Sequence, residues 1–345
     1  MQTPLSAISR RDFLKLAGYG MLGLSLPVFS QNVSVQTFDT ELQGRVTEKS
    51  LWMYNEPSTK SERVEMYWRD LIVPLTGAAI SEDEDAYNRV WYEVEDKGYV
   101  YSGGVQPVET QLNDPVSEVP LNGLLGEITV PFTDALEEPD TASAVAHRLY
   151  YETVHWITAS VVGADGQTWY QLLDDKLNLY YYIPARHMRL ISDEELAPLS
   201  PDVPDSLKLI EVNLTHQLVL AYEESRLVFA ARAATGYQYR NGRWSTPIGE
   251  FITSYKRPTR HMAAGDIASN GFDLPGVPWV LYITKSGISL HGTYWHNDYG
   301  HPRSHGCINL TPQASKWLFR WTLPTVKPGK QFAYEYFGTA VHIFE

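Results

Sequence analysis

HGTYWHNDYGHPRSHGCIN, residues 291–309, contains the only cysteine of the 345-residue chain and sets His291 sixteen positions ahead of Cys307, with His305 two positions before it. Upstream, Val280 to Thr284 and Ile288 to His291 read as two short strands around the turn Lys285-Ser286-Gly287. His291 then stands at a strand end and Cys307 at the end of a loop. A rigid sheet with this layout presents both side chains to a surface cleft.

A thiol beside imidazoles suits nucleophilic chemistry, which needs a thiolate, a base to take its proton and backbone donors for the oxyanion. A free cysteine titrates near about 8.5, and a neighbouring histidine lowers that value. Gly306 has no Cβ, so its amide and that of Cys307 can turn toward a substrate carbonyl. The plain alternative for a single cysteine is a small buried hydrophobe, but packing gives no reason for a Ser-His-Gly-Cys turn after a His-Gly-Thr. His291, His296, His301 and His305, with Asp298 and Cys307 near, also raise a metal site. Their spacing matches neither a helical His-x-x-x-His nor a Cys-x-x-Cys ligand set, so no metal and no cofactor is expected. His296 and His301 either line a subsite or are solvated loop residues. Tyr294, Trp295 and Arg303 are the expected substrate walls, because a peptide needs apolar contact and its carboxylate a cation.

This run resembles the active-site signature of the L,D-transpeptidases of the YkuD type, and Thr246-Pro247-Ile248-Gly249-Glu250-Phe251 matches a second element of that family upstream. The resemblance covers roughly residues 206 to 345. It implies Cys307 as nucleophile, His291 as general base oriented by the Gly292 carbonyl, and the backbone of His305, Gly306 and Cys307 as oxyanion site. Thr293, Ser304 and Asn309 join Gly292, Tyr294, Trp295 and Arg303 as implied substrate-binding positions, with Asn309 holding either the turn or the substrate. The implied reaction is attack on a peptidoglycan stem peptide, a thioester intermediate and cross-linking to an amine of a neighbouring stem, in the service of cell-wall biogenesis. Water as acceptor would make the same site an L,D-carboxypeptidase; an inert site would leave a non-catalytic wall-binding protein. Carbapenem-type β-lactams are implied covalent inhibitors of the cysteine.

Ser9-Arg10-Arg11-Asp12-Phe13-Leu14-Lys15 is a twin-arginine targeting motif, and the mostly apolar run Leu16 to Phe29 is short for a membrane span. The chain is therefore expected to be exported by the twin-arginine route and to work in the periplasm or at the cell wall. With 28 basic and 41 acidic residues the net charge is −13; removing residues 1–30, with three cations and one anion, leaves −15. Such a surface repels nucleic acid.

The fold expected is mainly β. Residues 1–30 form the signal segment, 31–58 a polar linker, 59–115 and 125–195 two small SH3-like barrels, 196–206 a Pro-rich stiff connector and 207–345 the catalytic domain. The two barrels rest on an internal repeat at about 78 residues: Arg89 to Val94 and Gln167 to Leu172 each carry a Trp-Tyr pair followed by a second aromatic strand. Their aromatics either fill small cores or line a groove for glycan or peptide. Tyr180, Tyr181 and Tyr182 cannot all point inward from one strand. Thr311 to Trp321 reads as a short helix with Thr311 as N-cap, Pro312 in the first turn and Trp317, Leu318 and Trp321 on the core face. Arg257, Arg260 and His261 belong to a flap that Gly265, Gly271 and Gly276 make mobile.

Overall fold

The computed structural model describes residues 36–266 and 271–345, with backbone alone for 36–41. The expected export segment at 1–30 lies outside the described residues. The fold is mainly β with one α-helix among the described residues, in four sheets.

The first sheet has seven strands, β1 (Gln36–Val46), β2 (Ser50–Tyr54), β3 (Arg63–Trp68), β4 (Ile72–Ile80), β5 (Val90–Val94), β6 (Gly98–Tyr101) and β7 (Val105–Val108), in the order β3-β2-β6-β5-β4-β1-β7. The second consists of β8 (Leu124–Ile128), β9 (Phe132–Leu136), β10 (Val145–Tyr150), β11 (Val154–Val162), β12 (Thr168–Asp174), β13 (Leu179–Pro184) and β14 (Met188–Leu190). Its order, β10-β9-β13-β12-β11-β8-β14, repeats the first strand for strand. Trp91 on β5 and Trp169 on β12 fill equivalent core positions, each at least 96% buried. Strand alternation sorts the tyrosine run: Tyr181 is buried and Tyr180 is 49% exposed.

Two expectations need correcting here. Both sheets are open at their outer strands, whereas closed barrels were expected. The lead-in at 31–58 is also not an irregular linker, since β1 and β2 occupy most of it. Its polarity misleads because Arg45, which looks like a solvent residue, is buried: its guanidinium donates to Gln106 Oε1 at 2.7 Å, to Asp70 Oδ1 at 3.1 Å and to the Tyr294 carbonyl at 2.5 Å. Buried charge of this kind is tolerated only when so partnered.

Beyond residue 207 two five-stranded sheets face each other. One holds β15 (Lys208–Asn213), β16 (Leu218–Glu223), β17 (Arg226–Arg232), β18 (Gly249–Ile252) and β24 (Ala340–Phe344). The other holds β19 (Tyr255–Ala264), β20 (Phe272–Tyr282), β21 (Ser289–Gly292), β22 (Ile308–Leu310) and β23 (Ala333–Tyr334), in the order β22-β21-β20-β19-β23. Ile210, Val212, Val341 and Ile343 meet Trp279, Leu281, Leu290 and Ile308 between them. Each such fully buried side chain contributes about 1.5–3 kcal/mol.

Helix α1 (Pro312–Trp321) starts as its sequence asks, with Thr311 Oγ1 accepting from the Ala314 amide at 3.2 Å. Leu318 and Trp321 are buried, and Trp317 stacks on Phe229 with centroids 4.4 Å apart. Its C-terminal carbonyls, which no helical amide reaches, are met by Lys256, whose Nζ donates to Phe319 O at 2.6 Å and Thr322 O at 2.7 Å.

Leu125, Val154, Trp156 and Ile191 of the second sheet belong to the same apolar cluster as Trp279 and Leu318. The segment at 196–206 is not a free spacer. Leu199 packs on that cluster, and its amide donates to Arg320 O at 3.0 Å.

Candidate active site

Strands β21 and β22 run parallel, with Leu290 opposite Ile308 and His291 opposite Asn309. The same register sets Ser289 opposite Cys307, and alternate residues of a strand share a face, so Ser289, His291, Cys307 and Asn309 project from one side of the sheet. Strand spacing and rise place the Cα atoms of His291 and Cys307 about 8 Å apart, within reach for two inclined side chains. The sulfur lies 3.7 Å from Ser289 Oγ and 3.9 Å from Gly287 O. His291 is buried, and its Nδ1 sits 3.0 Å from the Gly292 carbonyl. A carbonyl only accepts, so Nδ1 carries the proton and Nε2 keeps its lone pair. The expected orienting role of Gly292 thus has a geometric basis.

Among the described residues no hydrogen bond joins the imidazole to the thiol. Burial pushes the Cys307 thiol up, opposed by hydrogen bonding from Ser289, while the residue as a whole is only partly buried. Burial brings His291 down to about 4, against the contact with Gly292. Both groups are therefore neutral at rest, whereas proximity to a histidine had suggested a lowered thiol. Proton transfer from such a pair accompanies the attack instead of preceding it.

The turn before the cysteine is held by the upstream element. Thr246, fully buried, accepts from the Gly236 amide at 2.8 Å and donates to the Gly306 carbonyl at 2.8 Å. Gly306 has φ of 148°, and a Cβ there would come within 2.6 Å of Ile288 Cδ1, so glycine alone fits. Ser304 Oγ donates to Cys307 O at 2.6 Å and accepts from the Gly306 amide at 3.0 Å. That amide, expected to face an oxyanion, is spent on the turn in this state. Two separate sequence motifs thus converge on the turn that carries Cys307.

Residues 207–343 match the family model of the L,D-transpeptidase catalytic domain, YkuD.

The L,D-transpeptidase 1 of Mycobacterium tuberculosis is 36% identical over 81 residues, which make up 21% of this chain and 32% of that protein. The chain thus spans about a third of the length of the curated relative it matches. Similar solved structures include an L,D-transpeptidase from Mycobacterium smegmatis, 19% identical with a TM-score of 0.33 over 40% of this chain and 59% of that one. The catalytic domain of the E. faecium enzyme acylated by ertapenem is 24% identical, with a TM-score of 0.30 over 40% of this chain and 96% of that one.

Within the residues that match this family model, the loop from Thr293 to Arg303 mostly docks on the first sheet. Arg303 donates to Glu48 at 2.8 Å and to Asp298 at 3.1 Å, so its cation is already engaged. Asp298 also accepts from Tyr101 Oη at 2.6 Å, and the Asn297 amide donates to Gly103 O at 3.0 Å. Tyr294 is buried, donating to Pro275 O at 3.0 Å and stacking on Tyr150. Trp295 keeps partial exposure, with its ring 5.7 Å from that of His291, and so remains beside the site. Thr293 is buried away from the cleft surface. His305 is exposed, 6.1 Å from the Phe272 ring.

His296 is buried and neutral, its pKa pushed well down by desolvation. Its Nδ1 lies 3.2 Å from the Asp298 amide nitrogen, and its Nε2 lies 3.0 Å from Asn309 Nδ2. Asn309 therefore ties β22 to the docked loop, the turn-holding half of the two roles considered for it.

Sequence reading missed Ser289 and Tyr282. The signal for Ser289 was its place two residues before His291 on one strand. Register also lines up Tyr334, Tyr255, Tyr282 and Ser289 across β23, β19, β20 and β21, a row that ends at Cys307. Tyr255 and Tyr282 stack at 5.0 Å, and Tyr334 is 51% exposed. The supposed flap is the hairpin β19–β20, and its first strand is clamped along its middle: Asp175, just past β12, bonds Arg257 at 2.9 Å, Arg260 at 2.5 Å and the His261 amide at 2.8 Å. Gly276 serves close packing there, since a Cβ would meet the His155 ring at 2.3 Å.

Proposed function

We propose that the chain is an extracytoplasmic peptidoglycan L,D-transpeptidase working through a Cys307 thioester. The observation that carries this reading is the shared face of β21 and β22, with Nδ1 of His291 fixed on Gly292 and Nε2 left as acceptor on the side of the thiol. Nε2 takes the Sγ proton as sulfur bonds to the stem-peptide carbonyl carbon. The carbonyl π pair moves to oxygen and returns as the C–N bond breaks, and the leaving amine takes the proton from His291. An acceptor amine then attacks the thioester and gives its proton to His291, and as the C–S bond breaks the sulfur takes that proton back to regenerate the thiol.

The tyrosine row ending at Cys307 offers stacking faces to the donor strand. The two aromatic sheet modules, read as SH3-like, would hold wall polymer, and the twin-arginine segment would deliver the folded chain outside the cytoplasmic membrane. Carbapenems are expected to acylate Cys307, as ertapenem does the E. faecium domain.

Tetrapeptide-bearing muropeptides test the reaction by mass spectrometry of the products. Cross-linked dimers are expected, and none with Cys307→Ala. Tripeptide alone would make the protein an L,D-carboxypeptidase; full activity in Cys307→Ala would overturn the nucleophile.

A further inference from the structure

Where the second sheet meets the turn-proximal part of the β19–β20 hairpin, four side chains distant in sequence converge. His147 comes from β10, Asp174 from the end of β12, His261 from β19 and Asp273 from β20. One ligand atom each of His147, Asp174 and His261 lies within 4.8 Å of the others, and Asp174 Oδ2 is 2.5 Å from His261 Nδ1. The corners of a tetrahedral zinc sphere stand about 3.3 Å apart, so Oδ2 and Nδ1, in hydrogen-bond contact without the ion, part by about 0.8 Å to take it. Asp174 and His261 are buried and His147 largely so, its side chain 17% exposed.

The surroundings resemble the outer shell of a metal centre. The other oxygen of Asp174 accepts from the amides of Lys176 at 2.9 Å and Leu177 at 2.8 Å, which aims Oδ2 at the cluster. The far nitrogen of His261 is in contact with Asp273, the carboxylate–histidine pairing that fixes the tautomer of a ligating ring. Tyr181 Oη also donates to Asp174 Oδ2. Two carboxylates and one dication balance in charge, whereas without the ion a single imidazolium would face both.

We propose that His147, Asp174 and His261 bind one zinc ion, with Asp273 orienting His261 and water completing the sphere. Two imidazoles and a carboxylate are a donor set that zinc accepts. The ion joins the second sheet to the hairpin whose Phe272, the neighbour of Asp273, packs beside His305 of the catalytic turn. It is a structural clamp on the wall of the cleft and takes no part in the chemistry at Cys307.

The test uses the full, tag-free chain, stripped by chelator and titrated with zinc chloride in a calorimeter, with the unfolding temperature read beside it. One equivalent and a raised unfolding temperature are expected. Asp273→Asn should weaken binding roughly 10–100-fold, and His147→Gln by more. His147 is only partly buried, so its variant keeps the test open should Asp174→Asn fail to fold. Cys307→Ser must bind zinc like the parent, and cobalt loaded in place of zinc should show no sulfur charge-transfer band. The absence of stoichiometric binding, binding that survives His147→Gln, or loss with Cys307→Ser would each overturn the site. None of these readouts depends on transpeptidation, so the metal site and the proposed reaction fail or stand separately.

Discussion

The two aromatic sheets share a strand order but not a way of joining the C-terminal domain, residues 207–345. The apolar cluster of the first, built on Val46, Met53, Leu75 and Val100, draws only on its own strands. Its junction is polar: Arg303 with Glu48, Asp298 with Tyr101, Arg45 with the Tyr294 carbonyl. The second sends Val154, Trp156 and Ile191 into the main cluster of the domain and clamps its hairpin with Asp175. One of the two sheets shares the main apolar cluster of the C-terminal domain, and the other is docked on it. Apolar burial is cooperative and hard to undo in part, whereas a partly solvated pair such as Arg303–Glu48 contributes little.

The largest effect expected from this difference is in unfolding. Trp156→Ala should cost about 3–5 kcal/mol and Met53→Ala about 2–5 kcal/mol, yet in separate calorimetric transitions. Met53→Ala should lower only the transition of the first sheet, and Trp156→Ala the one that the second sheet shares with the catalytic domain. A single transition moved equally by both variants would break the comparison.

Acid should separate the regions as well. His155 is brought down to about 3 and His291 to about 4 by burial, and His296 is pushed well down. Each folded-state value lies below the unfolded one near about 6.5, so the neutral ring is favoured by folding. That stability is present above about pH 6.5 and is lost as pH falls toward the folded values. For His291 alone the loss by pH 5 is roughly 2 kcal/mol. The first sheet, residues 36–108, has no histidine. Its transition should move less between pH 7 and 5 than the joint one, as read by calorimetry; equal shifts would mean the two units unfold together.

Much of the site was legible because its residues are close in sequence and chemically unusual. The single cysteine after Ser-His-Gly, the His-Gly strand end and the Thr-Pro element each carry a local signature, and Thr246 proves to hold the turn at Gly306. Helix α1 was readable from Thr311 and Pro312 for the same reason. What escaped depends on partners far along the chain. Arg45 looks like solvent until Asp70 and Gln106 are brought to it. The loop from Tyr294 to Arg303 has the composition of a binding wall, but the surface that takes up most of it is the first sheet, some 200 residues earlier in the chain. The closed barrels failed because Trp-Tyr alternation specifies strands and their faces, not whether the outermost strands pair.

The smallest effect separates those two readings of Arg303. Were it a substrate cation, Arg303→Met would raise KM for tetrapeptide stems and do little else. As a docking residue bound to Glu48 and Asp298 it should leave KM near the parent value and speed hydrogen exchange at the Asn297 amide, which bonds Gly103 O. A double-mutant cycle with Glu48→Gln isolates the contact. Both partners are partly solvated, their side chains 28% and 35% exposed, so a coupling of only about 0.5–1 kcal/mol is expected. A junction made of several such terms is additive and separable, which is the property that distinguishes the docked sheet from the fused one. Zero coupling with unchanged exchange would move the docking onto Tyr101–Asp298 and Asn297 instead.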